Sequence, residues 1–353
     1  MQTRKAFLIV LASLLGACKS KTPPAPAATA PSPPAQEAVK TPTNIPANIS
    51  HGEARVGTAV DSAPIDADAP PRATSHLVRV RLEIREVTMQ VAKGVQYSAW
   101  TFGGRAPGPV IRVTQGDSVD FTLINRASMP HSMDFHAAQI APNKYYTNVN
   151  PNDSIHYRFR VEVPGVFMYH CGTAPVAAHI ANGMYGALIV DPRGGRPPAK
   201  ELVFVQSEFY MSPDSIPGVR TLAWDRLLEL APDFVTFNGR AAQYAEHPIS
   251  VKTNELVRMY VVNAGPNRFA SFHVVGGIFE RVFVDGSQAS PLVGVQTVAI
   301  PVGGASIFEL RLKQPGEYPF VTHAFADATK GAIGVLKAGN AGDPTPAAST
   351  MRH

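Results

Sequence analysis

The sequence predicts an all-β protein made of two tandem β-sandwich domains. From His76 onward, short runs such as "LVRVRLEIREVTMQV" and "SIHYRFRVEV" alternate apolar and polar residues, with the period of two that is typical of half-buried strands. Glycine, proline and asparagine separate these runs and mark turns. Helical periodicity is rare, and only "DRLLELAPD" indicates a short helix.

Three motifs occur twice in the same order, which indicates a duplicated domain. "TFGGRAPG" at Thr101 returns as "TFNGRAAQ" at Thr236, "PGVFMYH" at Pro164 as "PGEYPFVTH" at Pro315, and "GALIVDP" at Gly186 as "GAIGVLKAG" at Gly331. One such similarity could arise by chance between two sandwiches, whereas three in order favour a repeat. The predicted segments are therefore a signal peptide at 1–17, a Pro/Ala-rich tether at 18–75, a first domain at 76–192, a linker at 193–200, a second domain at 201–339 and a flexible tail at 340–353.

The N-terminal segment predicts export and lipidation. Arg4 and Lys5 precede an apolar run that is too short to span a bilayer as a mature helix. It ends in "LGAC", which resembles the lipobox of bacterial lipoproteins and makes Cys18 the lipidated residue. The alternative is a signal peptide cut nearby with an incidental cysteine. We expect a lipoprotein anchored to the membrane on the periplasmic side or at the outer membrane.

Composition excludes some classes of partner. The chain has 353 residues, 45% of them apolar and 17% charged, which suits two globular domains. A net charge of +5 arises from 32 basic and 27 acidic residues without a long run of like charges. This pattern argues against a nucleic-acid-binding arm.

The second cysteine belongs to a pattern of soft metal ligands. With Cys18 assigned to lipidation, Cys171 has no disulfide partner. Seven residues separate Cys171 from His179, four separate His179 from Met184, and His131 lies upstream. A thiolate, two imidazoles and a thioether form the blue-copper electron-transfer set. Singly, a buried cysteine or methionine is more often a core residue, but the joint pattern favours a copper site.

Strand parity predicts a second metal site beside the first. His170 adjoins Cys171 on a predicted strand, so their side chains point to opposite faces. In "MPHSMDFH", His131 and His136 differ by five positions and point apart, whereas Asp134 and His136 share a face. One histidine of this segment can serve the copper site, and the other can join His170 with Asp134 beside it.

A third imidazole can come from the second domain. His323 has roughly the place of His170 in the repeat, and "SFHVVGG" around His273 is similar to "DFHAA". Three histidines leave an open coordination position, as in catalytic metal sites, and the fourth would be a proton donor. The residues alone do not decide which of the histidines are metal ligands and which one is the proton donor. The remaining histidines are predicted to be ordinary core or surface residues: His51, His76, His156, His247 and His353.

The chain from about His76 to Gly339 resembles the two-domain copper-containing nitrite reductases. The resemblance rests on "AWTFGGRAPGPVIRVTQGD", "MPHSMDFHAA", "YHCGTAPVAAHIANGMYGALIV", "SFHVVGGIFERV" and "THAFADATKGAIGVLKAG". It implies two cupredoxin-like Greek-key sandwiches and two copper ions per chain. The implied type 1 copper ligands are His131, Cys171, His179 and Met184. The implied type 2 copper ligands are His136, His170 and His323, with Asp134 and His273 as the active-site acid groups.

The resemblance also implies an activity and partners. It implies one-electron reduction of nitrite to nitric oxide and water by an oxidoreductase of class EC 1.7.2.1. It further implies a soluble electron donor, a cytochrome c or a small blue-copper protein, and a homotrimer in which His323 reaches the neighbour's site. The chain is most similar to the branch that contains outer-membrane lipoproteins. It departs from the family in the loop 139–153, which lacks a glycine-rich run, and at Val275, where the family often has isoleucine.

The sequence leaves two alternatives to nitrite reduction. A laccase-like oxidase of the same superfamily would need His-X-His pairs for a trinuclear copper cluster, and the sequence contains none. A non-enzymatic blue-copper lipoprotein would bind one copper ion per chain instead of two.

Overall fold

The computed structural model describes residues 64–213 and 218–340, which form two β-sandwiches. The predicted all-β class and tandem arrangement are confirmed. The signal peptide, Cys18, most of the tether and nearly all of the tail lie outside the described residues, as do His51 and His353.

The first part of the chain contains eight strands and two short helices. They are β1 (Leu77–Ala92), β2 (Val95–Phe102), β3 (Ile111–Thr114), β4 (Ser118–Asn125), β5 (Asp134–Phe135), α1 (Pro142–Tyr145), β6 (Ser154–Arg160), β7 (Gly165–His170), α2 (Val176–Ala181) and β8 (Tyr185–Asp191).

The second part of the chain contains eleven strands and three short helices among the described residues, and one of these strands, Val219–Arg220, pairs with β2 of the first sandwich. They are β9 (Lys200–Phe209), β10 (Val219–Arg220), α3 (Trp224–Leu228), β11 (Phe234–Phe237), α4 (Gln243–Glu246), β12 (His247–Val251), β13 (Val257–Gly265), β14 (Ala270–Val274), β15 (Arg281–Val284), β16 (Thr297–Ile300), β17 (Ala305–Leu310), β18 (Gly316–Thr322), α5 (Phe325–Ala328) and β19 (Ile333–Ala338). Helix α3 lies within two residues of the start of the predicted "DRLLELAPD" helix.

The two sandwiches repeat one topology. In the first, the sheets have the orders β10-β2-β1-β4-β6 and β3-β8-β7-β5; in the second, β11-β9-β13-β17-β15 and β12-β19-β18-β14-β16. The pairs β1/β4 and β3/β8 are parallel, and so are their counterparts β9/β13 and β12/β19. By this correspondence, β5 and β7 of the first domain are the counterparts of β14 and β18 of the second.

The repeated "TFGGR" and "TFNGR" motifs form the same turn. Each follows a strand and closes with an isolated bridge, Phe102 to Arg105 in one domain and Phe237 to Arg240 in the other. Gly104 has φ +84° and Gly239 has φ +76°, and the residue before each also has a positive φ. Two successive left-handed residues favour glycine and asparagine, which explains why the motif recurs.

The interface between the sandwiches fixes the strand that carries the predicted ligands. All seven residues of β8 are buried, and β7 and β8 contribute Val166, Met168 and Ala187 to an apolar cluster shared with β9, β13 and β17. Apolar packing on both faces stabilises this sheet by burial of surface from water. The end of β7 is therefore held firmly where the two predicted sites begin.

Ion pairs also join the domains. Arg112 of the first domain contacts Asp191 at 2.7 Å and Glu201 of the second domain at 2.9 Å. Arg258, fully buried, contacts the same Glu201 at 2.8 Å. Arginine is suited to this role because its planar fork can bind two carboxylates while it remains charged.

The last part of the predicted tether packs against the second domain. Ala67 is buried, its carbonyl accepts a hydrogen bond from Val203 N at 2.7 Å, and Asp68 forms an isolated bridge with Leu202. The composition of residues 64–70 does not reveal this contact, because backbone hydrogen bonds require no particular side chain. Among the described residues, no helix has the length and apolar character to span a membrane.

Candidate metal centres

The first candidate site is built from the connection between β7 and β8. Cys171 follows the last residue of β7, His179 lies in α2, and Met184 immediately precedes β8. His131 comes from the segment before β5 and exchanges backbone hydrogen bonds with Val149. Short connections at one end of a sandwich therefore bring together residues that are distant in sequence.

Three ligand atoms of the first site converge in the interior. His131 Nδ1 lies 3.0 Å from His179 Nδ1, and Cys171 Sγ lies 3.3 Å from His179 Nδ1 and 3.9 Å from His131 Nδ1. All three side chains are buried. Met184 is also buried, and its backbone hydrogen-bonds with Cys171 and His179. The set fits copper because it offers the soft sulfur and imidazole donors that this metal prefers.

The protonation of these side chains also fits a metal. Burial lowers the pKa of His131 to about 3, with the adjacent His179 as a second cause, and burial lowers the pKa of His179 to about 4. Both imidazoles are therefore neutral near pH 7, which is the form that binds metals. Burial raises the pKa of the Cys171 thiol, and a bound metal ion would stabilise the thiolate against this effect.

The second candidate site lies on the other face of β7. Asp134 on β5 pairs across the strands with His170, and His136 follows β5 directly. His170 Nε2 lies 3.1 Å from His136 Nε2 and 3.8 Å from Asp134 Oδ2. The predicted opposition of His170 and Cys171 thus places two ligand clusters on the two sides of one peptide bond.

Hydrogen bonding prepares His170 as a ligand. Its Nδ1–H donates to the carbonyl oxygen of Cys171 at 2.9 Å, which leaves Nε2 with a lone pair directed at His136. Desolvation and the His170 imidazole lower the pKa of His136, although the residue is exposed at the surface. Two imidazole nitrogens this close require a shared proton or a cation between them, and the group fits a metal ion.

His273 and His323 form a separate pair in the second domain. Their ring centroids lie 5.2 Å apart, and His273 Nδ1–H donates to Gln296 O at 2.7 Å. In the described part of the chain, neither residue belongs to the group of Asp134, His136 and His170. His323 is exposed beside Phe325, whose side chain is 54% exposed.

Strand register corrects the equivalence inferred from the repeat. His170 pairs with Asp134, and Tyr169 packs over Gly186 as Phe320 packs over Gly334. By this register Val321 is the counterpart of His170, and His323 lies two residues further on. His273 pairs with Val321, so its counterpart is Asp134, not His136 as the similarity to "DFHAA" suggested.

The sequence did not predict several residues that lie beside the first site. The ring centroid of Trp100 lies 5.0 Å from that of His179 and 5.8 Å from that of His131, so this indole covers both imidazoles. Ser132 N–H donates to Cys171 Sγ at 3.3 Å. Trp100 lies in one of the motifs quoted from the sequence, but only the folded chain shows that its indole contacts the two imidazoles.

Comparison with known proteins identifies the relationship. Two family models, each described as multicopper oxidase, match residues 83–195 and 200–341. A copper-containing nitrite reductase of Neisseria meningitidis is 40% identical over 79% of this chain and 73% of that protein. One from Pseudomonas chlororaphis is 32% identical over 77% of this chain and 84% of its own. The solved copper nitrite reductase of Nitrosomonas europaea superimposes with a TM-score of 0.70 at 38% identity, over 75% of this chain and 94% of that one.

Proposed function

The chain belongs to the copper-containing nitrite reductases, and we propose that it reduces nitrite to nitric oxide and water with two copper ions per chain. The reaction consumes one electron and two protons for each nitrite. The observation that carries the proposal is the pair of ligand clusters on opposite sides of the His170–Cys171 peptide bond. One buried cluster suits electron storage, and one open cluster suits a small substrate.

His131, Cys171, His179 and Met184 would hold the first ion, and His136, His170 and His323 the second. When bound, copper would exchange single electrons with a donor at the first site and supply a Lewis acid and that electron to nitrite at the second. The residues His170 and Cys171 provide a continuous covalent connection between the two. His170 is oriented for this role by its hydrogen bond to the Cys171 carbonyl.

Asp134 is the proposed proton donor on the first-domain side of the second site. Its side chain is 32% exposed, and its Oδ2 atom lies 3.8 Å from His170 Nε2. A carboxyl group at this position can hold a proton beside the bound nitrite and release it to the departing oxygen. Partial exposure allows the carboxylate to regain the proton from solvent.

We assign the other half of the second site to a neighbouring copy of the chain in a homotrimer. Exposed His323 would complete the three-imidazole ligand set, and His273 would supply the second proton. The separation of this pair from the group of His136 within one chain supports the assignment. The hydrogen bond from His273 Nδ1 to Gln296 O leaves Nε2 available to the substrate side.

The proposal extends to the donor and the cellular location. The sequence has no Cys-X-X-Cys-His haem motif, so the electron would come from a separate soluble cytochrome c or small blue-copper protein. Lipidation of Cys18 would anchor the exported enzyme to the membrane, on the periplasmic side or at the outer membrane.

The test is anaerobic nitric oxide release by the copper-loaded protein, given nitrite and a reduced artificial donor, with copper counted on the same sample. We expect about two copper ions per chain and nitric oxide release. The variant His136→Ala should retain the blue band, lose the second ion and lose nitric oxide release, because an imidazole ligand is missing.

His156→Ala is the matched control, since this exposed histidine of the same domain contacts Asp120 on the surface, away from either candidate site. It should behave as the parent protein. A parent with two copper ions that consumes oxygen but releases no nitric oxide would favour the laccase-like alternative. One copper ion per chain would favour an electron carrier.

A further inference from the structure

One tryptophan side chain lies against both imidazoles of the first site. The indole of Trp100 makes edge-to-face contacts with the rings of His179 and His131, at interplanar angles of 62° and 66°. Trp100 is only 6% exposed, so its indole is nearly enclosed and fills the space beside the two imidazoles. This side chain is not a metal ligand, and its contacts with two predicted ligands need another explanation.

Backbone contacts hold Trp100 at the end of α2. Trp100 N donates to the carbonyl oxygen of Asn182 at 2.9 Å. Gly183 has φ +113°, and a Cβ atom added to it would lie 3.0 Å from Trp100 O. Glycine permits both this conformation and this close approach of the backbones. The segment that carries His179 and leads into Met184 therefore also fixes the position of Trp100.

His131 has a ring nitrogen that solvent does not reach. Its Nδ1 atom is the one that converges with His179 Nδ1 and Cys171 Sγ. Its Nε2 atom is buried and has no hydrogen-bond partner among the described residues. An imidazole that binds a metal through Nδ1 carries its proton on Nε2. The burial of this atom therefore keeps water from an N–H group that would otherwise donate to it.

The repeat indicates that the indole accompanies the imidazoles. Val235 is the counterpart of Trp100, because it precedes the same Thr-Phe pair and its N–H donates to Lys330 O as that of Trp100 donates to Asn182 O. The described part of the second domain has no group of metal ligands at this position. A large aromatic side chain thus occurs where imidazoles are to be covered, and a small aliphatic one where they are not.

We propose that the Trp100 indole seals the first site from water and thereby raises the reduction potential of the copper bound there. With one thiolate and neutral imidazoles, the site carries one positive charge with Cu(II) and none with Cu(I). Exclusion of water disfavours the charged form and so favours the reduced one. An acceptor at His131 Nε2 would strengthen this imidazole as a donor to Cu(II), so withholding one acts in the same direction.

Trp100 is therefore a positioning residue that acts through the ligands it covers. This inference rests on the part of the proposed function that places copper at the first site. Trp100→Phe and Trp100→Ala in the full copper-loaded chain test it. The potential should fall in both, and more in the alanine variant, because less of the ring remains to exclude water. For Trp100→Ala we expect up to about tenfold in the redox equilibrium with a reference dye, or ~59 mV for one electron.

Proton exchange measures the seal directly. In the diamagnetic copper(I) form, the NMR signal of the His131 Nε2 proton should exchange slowly with D2O in the parent and faster in both variants. Trp224→Ala is the matched control, since it removes the other indole, which packs against the apolar cluster that includes Ala178 and Ala181 of α2. It should leave both the potential and the exchange rate at the parent values.

Trp100→Phe retains an aromatic ring and decides the question even if the alanine variant does not fold. An unchanged or raised potential in a Trp100 variant with blue copper would overturn the inference, and so would an equal fall in Trp224→Ala. Loss of the blue copper in Trp100→Phe would overturn it as well, because the indole would then be needed for binding. The potential is measured without nitrite, so absence of nitrite reduction would count against the proposed function alone.

Discussion

The two sandwiches use the same backbone hydrogen bonds around the place where the first site lies, but with different side chains. In the first domain Ser132 N–H donates to Cys171 Sγ at 3.3 Å; in the second, Ser271 N–H donates to Thr322 Oγ1 at 2.9 Å. By strand register, Ser271 is equivalent to Ser132. Thr322 is therefore the counterpart of the cysteine.

Two other first-site ligands, His179 and Met184, have counterparts identified in the same way. Met184 N donates to His179 O, and Ala332 N donates to Asp327 O. Cys171 N donates to Met184 O, and Thr322 N to Ala332 O. Asp327 thus takes the position of His179, where it is 1% exposed and pairs with Arg268 at 2.9 Å.

The comparison shows that one backbone arrangement can support two kinds of interaction. Three side-chain differences, at the positions of Cys171, His179 and Met184, distinguish a candidate copper site from a structure held by a partly buried ion pair. The same repeat relates the two proposed proton donors, because Asp134 and His273 are counterparts by strand register. A site shared between copies would then bring together equivalent positions of the two domains with different acids.

Among the substitutions that compare the two domains, the largest expected effect comes from Asp134, the first-domain member of that pair. Asp134→Asn removes a proton donor while it retains the shape of the side chain, so nitrite turnover should fall by about 10²–10⁴-fold. The blue band should persist, because the first site lies on the other side of β7. Steady-state turnover and the visible spectrum of one sample measure both.

Asp120→Asn is the control, since this carboxylate pairs with His156 on the surface of the same domain. Turnover that stays at the parent level in Asp134→Asn would contradict the assigned role and weaken the parallel with His273.

The sequence predicted much of this arrangement because it depends on local periodicity. The period of two correctly placed His170 and Cys171 on opposite faces, and the spacing of His179 and Met184 reflects one short helix before β8. The counterpart of His170 was predicted wrongly, because β18 contains two more residues between its Pro-Gly start and the histidine. The contacts of Trp100 with His131 and His179 join chain segments far apart in sequence and have no local signal.

The stability of the copper-free protein should depend on pH through the first domain. The unfolded chain binds protons at His131 and His179 near pH 6.5, whereas the folded chain does so only near pH 3 and 4. Stability is therefore present above about pH 6.5 and is lost as the pH falls towards 4. Each histidine contributes a slope of up to ~1.4 kcal/mol per pH unit.

Denaturant unfolding of the copper-free protein between pH 7 and 5 measures this slope. His179→Asn should reduce it, since one of the two buried imidazoles is gone and the second domain has aspartate at this position. An equal slope in the variant and the parent would show that other groups dominate the pH dependence.

The ion pair that takes the place of His179 in the second domain should affect stability less than protonation of the two buried histidines does. Asp327→Asn removes the charge that Arg268 contacts, and Arg268 is 34% exposed, so water compensates part of the loss. We expect the free energy of unfolding to fall by about 1–3 kcal/mol while the blue band is unchanged. The control is Asp225→Asn, on the exposed side of α3, which should lower the free energy of unfolding by less than this. An equal fall in both variants would show that the ion pair does not stabilise the fold.

The smallest expected effect is on the thermal unfolding midpoint and comes from substitutions in the repeated turns. There Gly104 and Gly239 are counterparts with similar positive φ values. An alanine at either position incurs the left-handed backbone cost of roughly 1–2 kcal/mol. At Gly104 the added Cβ meets no atom, whereas at Gly239 it would clash with the carbonyl of Ala106. Gly239→Ala should therefore lower the thermal unfolding midpoint more than Gly104→Ala. Equal shifts would mean that Ala106 moves away at little cost, so that the turn of the second domain is no more constrained than its counterpart.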